Sequence, residues 1–117
     1  MEPRLCLVVI RAADLARARQ FYELLGLAFR EEQHGTGPTH LACELGAAVF
    51  EIYPAASSQL TTVGTRIGFR VGDVGAAISS VANLGGEVVS VPKNSPWGRR
   101  AVLRDPDGHT VELLEAP

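Results

Sequence analysis

Short apolar or alternating runs over residues 5–10, 27–31, 40–45, 48–53, 66–71, 87–91, 101–104 and 110–114 predict eight strands. Two other stretches follow a helical period. Leu15, Ala18, Tyr22 and Leu25 mark one face of the first, and Val74, Ala77, Ile78 and Val81 mark one face of the second. Each is preceded by an aspartate that can cap a helix, Asp14 or Asp73, and followed by a glycine that can end one, Gly26 or Gly85. Both pairs are 59 positions apart, so the chain is an internal repeat held in register. Each half reads strand, helix, strand, strand, strand. One helix covers one face of such a sheet, and the other face must meet a partner or a ligand.

At 117 residues the expectation is a single domain, 1–117, made of two repeated modules, 1–55 and 62–117. Hydrophobic residues are 46% and charged residues 21%, ordinary for a globular chain, and no apolar run approaches a membrane span. The net charge is -2 with interspersed signs, and Arg99-Arg100 is the densest basic spot, so no nucleic-acid or membrane partner is expected. The first residues, Met1-Glu2-Pro3-Arg4, lack the features of a signal peptide, which predicts a cytoplasmic location. Cys6 and Cys43 lie in separate strands without metal spacing and are expected to be buried free thiols.

Glu112 brings chemistry into this picture. It stands between Val111 and Leu113 in the last strand, and a carboxylate held away from water needs a cation or several donors beside it. The segments "FYELLGL" (21–27), "VFEIY" (49–53) and above all "RDPDGHTVELLE" (104–115) resemble the vicinal oxygen chelate superfamily, which includes glyoxalase I, bleomycin-resistance proteins and extradiol dioxygenases. The resemblance implies an α+β fold in which two βαβββ modules form a curved mixed sheet, a cup, with helices outside. It also implies a homodimer that completes each cup with modules from two chains.

Metal-dependent members of that superfamily place four ligands on the first and fourth strands of the two modules. By motif these positions fall here on Leu7, Glu51, Arg66 and Glu112. Leu7 cannot coordinate a metal and Arg66 carries a fixed charge without a lone pair, so no tightly held metal is expected, and Arg66 is expected to balance Glu51 and Glu112. The alternative is a divalent ion (Zn, Ni, Mn or Fe) held by Glu51, Glu112 and His40, since a tight turn at Gly46-Ala47 puts Ala42 opposite Glu51 and His40 opposite Tyr53 on one face. His34 and His109 are read as solvent-exposed.

"NSPWGRRAV" (94–102) is similar to a Pro-Trp-Gly segment that borders the ligand groove of bleomycin-resistance proteins. Trp97 beside Arg100 could stack on a flat acidic ligand, or plug a dimer seam. Leu7, Val9, His40, Tyr53, Arg66 and Arg70 complete the expected ligand-binding set, with Glu44 a candidate to pair one of the arginines. Three functions follow. The first is a small-molecule-binding protein taking an organic, anionic or aromatic ligand without a tightly held metal. The second is a divalent-metal-dependent lyase or isomerase using Glu51 and Glu112. The third is metal-free proton transfer alpha to a carbonyl by Glu51 or Glu112, with Arg66 stabilising the oxyanion.

Overall fold

Eight strands form where the alternation predicts them: β1 (Leu7–Ala12), β2 (Arg30–Glu32), β3 (His40–Leu45), β4 (Ala48–Pro54), β5 (Arg66–Val71), β6 (Glu87–Ser95), β7 (Gly98–Arg104) and β8 (Thr110–Glu115). The computed structural model describes residues 1–55, 61–76 and 78–116. The strands make two four-stranded sheets, ordered β1-β4-β3-β2 and β5-β8-β7-β6. In each, the first strand pairs parallel to the fourth and the remaining pairs are antiparallel. The repeat in sequence is thus a repeat in topology, and the two units form a cup-like sheet. Gly46 has φ 62, and the turn it opens pairs Leu45 with Ala48. Pro92 lies in edge strand β6, where the pairing with β7 shifts register between Ser90 and Lys93.

Helix α1 (Leu15–Leu24) crosses from β1 to β2, with Asp14 accepting from the Arg17 amide at 3.1 Å and Ala18, Phe21 and Tyr22 buried. Its counterpart in the second half differs from the sequence expectation. The segment forms two short 3-10 turns, Ile78–Ser80 and Ala82–Leu84, while Val74 and Val81 are fully buried as the pattern requires. Ala77 lies outside the described residues. Gly75, Ser79, Ser80 and Asn83 are weak helix formers, whereas α1 is built largely from Leu, Ala, Arg, Gln and Glu. Apolar spacing therefore docked the segment without making it helical.

Strand alternation turns Ile10, Leu41, Cys43, Phe50, Ile52, Ala101, Leu103, Val111 and Leu113 toward one shared core. Tyr22, Phe50 and Phe69 meet there edge to face, with centroids 5.2, 5.5 and 6.1 Å apart, and so tie α1 to both sheets. Cys43 is buried in this core, but Cys6 is exposed just ahead of β1, correcting the expectation of two buried thiols. No helix among the described residues is long and apolar enough to cross a membrane.

Gly86 packs closely against the edge of the core. A Cβ there would lie 2.8 Å from the Arg104 carbonyl oxygen and from the Phe21 ring, and 2.9 Å from Val81. Gly86→Ala is expected to cost about 1–3 kcal/mol, read as a lower urea midpoint, because backbone on one side cannot yield. An unchanged midpoint would contradict this packing.

Candidate functional site

The face of each sheet turned away from the core carries the chemistry. On the second sheet, Glu112 points outward between core residues Val111 and Leu113, beside Gly68 of β5 and Val102 of β7. Arg66, two positions before Gly68, donates to Glu112 Oε1 at 2.6 Å, and Arg100, two before Val102, donates to the same oxygen. Glu112 thus has two guanidinium partners from the strands on either side. A hollow of about 700 Å³ opens over them, lined by Gly68, Arg70, Trp97, Arg100, Glu112 and Leu114. Trp97, on the β6–β7 turn, is 73% exposed. Arg66 with Arg70 and Arg100 from the hollow's wall set three cations against the one carboxylate of Glu112. Glu44 pairs Arg30 at 3.1 Å, not an arginine of this face.

The other expected residues gather on the outward face of the first sheet. Glu51 of β4 lies with its Oε2 3.4 Å from His40 Nε2, and among the described residues no ion pair within 4.0 Å joins it to Arg66. His40 is 1% exposed. Its ring stacks on Tyr53 at 4.1 Å with 7° between planes, and the Arg11 guanidinium carbon lies 5.6 Å from the Tyr53 centroid. Glu32, opposite His40 on β2, accepts from Arg30 at 2.8 Å, and that bond holds its carboxyl below the usual range. Leu7 and Val9 stand half-exposed on β1 of this sheet, outside the hollow. The structure therefore joins Arg66, Arg100 and Glu112 in one cluster and His40, Glu51 and Tyr53 in another.

A third cluster was missed in the sequence. His109 is fully buried, not exposed. Its Nδ1 donates to Asp105 Oδ2 at 2.7 Å, and with that proton committed Nε2 accepts from the Thr62 hydroxyl at 2.6 Å. Tyr22 donates to the same Asp105 oxygen at 2.6 Å. Burial pushes the Asp105 carboxyl up, but hydrogen bonds from His109 and Tyr22 outweigh it and leave it below its ordinary value. Burial first, and then the Asp105 charge, raises the Tyr22 phenol far above its usual range. The signal was present: His109 shares the parity of Val111 and Leu113, so alternation run back past the start of β8 aims it at the core. The contacts in this cluster are satisfied hydrogen bonds, and those of Tyr22 and Thr62 tie the β7–β8 turn to elements distant in sequence, which makes it structural.

The fold has counterparts among known structures. Among curated proteins, none matches the chain. Among solved structures, TnmS3, an antibiotic binding protein from Streptomyces sp. CB03234, is 26% identical with a TM-score of 0.71, covering 99% of this chain and 98% of its own. A glyoxalase/bleomycin resistance protein from Albidiferax ferrireducens T118 is 23% identical with a TM-score of 0.75, covering 97% and 98%. The oxidase ChaP-H2 shares the fold at 22% identity and a TM-score of 0.75, covering 100% and 96%. The family model described as Glyoxalase/Bleomycin resistance protein/Dioxygenase superfamily matches residues 4–113. With a duplicated strand order and nearly the whole chain under one family model, this protein belongs to the glyoxalase/bleomycin resistance protein/dioxygenase superfamily.

Proposed function

We propose that the protein binds a small organic anion, aromatic or conjugated, in the hollow over Glu112, and that a second copy of the chain closes the cup over it. The observation that carries this reading is the pairing of Glu112 with both Arg66 and Arg100. A carboxylate whose oxygen is engaged by two guanidiniums is a poor metal ligand and a poor base, which weighs against the lyase and proton-transfer readings. The same cations, with Arg70, leave the hollow net positive, and Trp97 offers a plane for stacking. The half-exposed Leu7 and Val9 and the exposed Leu5 supply apolar surface for the second copy. The likeness to an antibiotic-binding protein supports a drug-sized organic ligand.

Trp97 is the chain's single tryptophan, so its fluorescence reports the hollow directly. Titration with aromatic carboxylates and bleomycin-like compounds is expected to quench it saturably, and Trp97→Ala to remove binding measured by calorimetry. Silence across that panel would reject the sequestration reading.

A further inference from the structure

The Gly-rich loop between β2 and β3 takes no part in the ligand hollow, yet it brings together a set of donor atoms that, among the described residues, hydrogen bonding leaves unused. His40 Nε2 lies 3.4 Å from Glu32 Oε1 and 3.4 Å from Glu51 Oε2, and His34 Nε2 lies 3.5 Å from the same Glu32 oxygen. The donor atoms of Glu32, His34 and His40 all fall within 4.8 Å of one another. His40 is 1% exposed, and among the described residues its Nε2 has no hydrogen-bond partner. Nε2 stands 3.4 Å from each of two carboxylate oxygens, beyond the length of a charge-assisted hydrogen bond to either.

Those separations have a simple meaning. Zinc binds imidazole nitrogen and carboxylate oxygen at about 2.0–2.2 Å in a tetrahedron, whose edge is then about 3.4 Å. We propose that Glu32, His34 and His40 form a site for a divalent transition-metal ion of the zinc class, independent of the ligand hollow, with Glu51 beside His40 as the fourth ligand and the one residue shared with the four family positions. The surroundings fit such a site. His40 Nδ1 lies 3.2 Å from the Pro38 carbonyl, the outer contact that turns the other ring nitrogen into a donor toward a metal. Arg30 occupies Glu32 Oε2, leaving Oε1 for the ion. Tyr53, stacked on the His40 ring, fixes its plane. Two carboxylates and two neutral imidazoles balance a doubly charged ion, and four protein ligands make a closed site whose role is to clamp the β2–β3 hairpin onto β4.

Asp105, Asp107 and His109 form a second cluster of metal-binding types, but Asp105 accepts the amides of Asp107 and His109 and the side chains of Tyr22 and His109, and His109 Nε2 is paired with Thr62, so Asp105 and His109 are already fully engaged.

The test uses chelator-stripped protein titrated with zinc and, separately, cobalt. One equivalent per chain is expected, with a raised melting temperature and the strong visible bands of four-coordinate cobalt. His34 is 73% exposed, so His34→Ala leaves folding intact and is expected to weaken zinc binding at least about tenfold and change the cobalt spectrum. Glu32→Gln is expected to do the same, while Glu112→Gln leaves binding unchanged. No stoichiometric uptake, uptake indifferent to His34→Ala and Glu32→Gln, or uptake abolished by Glu112→Gln would each overturn the proposal.

Discussion

Asp105→Ala is expected to destabilise the protein by about 3–5 kcal/mol, the cost of breaking a buried charged network by removing one partner. Asp105 is 3% exposed and accepts four bonds: the amides of Asp107 and His109, each at 3.0 Å, the Tyr22 hydroxyl and the His109 ring. Alanine leaves a phenol and an imidazole buried without their acceptor, each penalised by desolvation. Against the roughly 5–15 kcal/mol of a typical domain this is a large share. Urea unfolding should show the midpoint fall with little change in slope; a loss under about 1 kcal/mol would mean the network does not hold the fold.

The same network sets the pH range of stability. The Asp105 carboxyl sits lower in the folded state than in the unfolded chain, so its contribution is complete above an ordinary carboxylate value near 4 and is lost as pH falls through the folded value. Tyr22 is shifted upward, so its contribution is complete below the ordinary phenol value near 10 and declines as pH rises above it. A stability plateau bounded on the acid side by Asp105 and on the alkaline side by Tyr22 is the expected profile, and Tyr22→Phe should flatten its alkaline limb.

Removing both guanidiniums from Glu112, by Arg66→Ala with Arg100→Ala, is expected to lower affinity for an aromatic carboxylate at least about 100-fold, or about 2.7 kcal/mol. The double variant changes the hollow by two charges and leaves Glu112 facing the ligand unneutralised, so repulsion adds to lost attraction. Arg100→Ala alone should have a smaller effect, because Arg66 remains on the same oxygen. The side chain of Arg66 is 55% exposed and that of Arg100 34%, so stability should change by less than about 1 kcal/mol. A neutral aromatic amide of the same size is the control and should bind both proteins alike. Carboxylate affinity preserved within about threefold would remove the electrostatic basis of the proposed function.

Strand positions, the repeat and the outward direction of Glu51, Arg66 and Glu112 were legible in the sequence, because a period of two and a constant offset are properties of the chain itself. The pairing of Arg66 with Glu112 was legible for the same reason, since both follow from the parity of neighbouring strands. The state of residues 73–85 was misread: apolar spacing says which side of a segment is buried, but whether it coils as α or 3-10 depends also on the propensity of the residues between.

The partners of long charged side chains belonged to the tertiary structure alone. Arg100 reaches Glu112 across the β7–β8 register, and Glu51 meets His40 because the β3–β4 register and the β2–β3 loop place them together. The Tyr22–Asp105 bond spans 83 positions and exists only once α1 has packed over the second half of the chain. Local pattern determined the strands and which way their residues face; which charge neutralises which was decided by packing, because side-chain reach operates in space and not along the sequence.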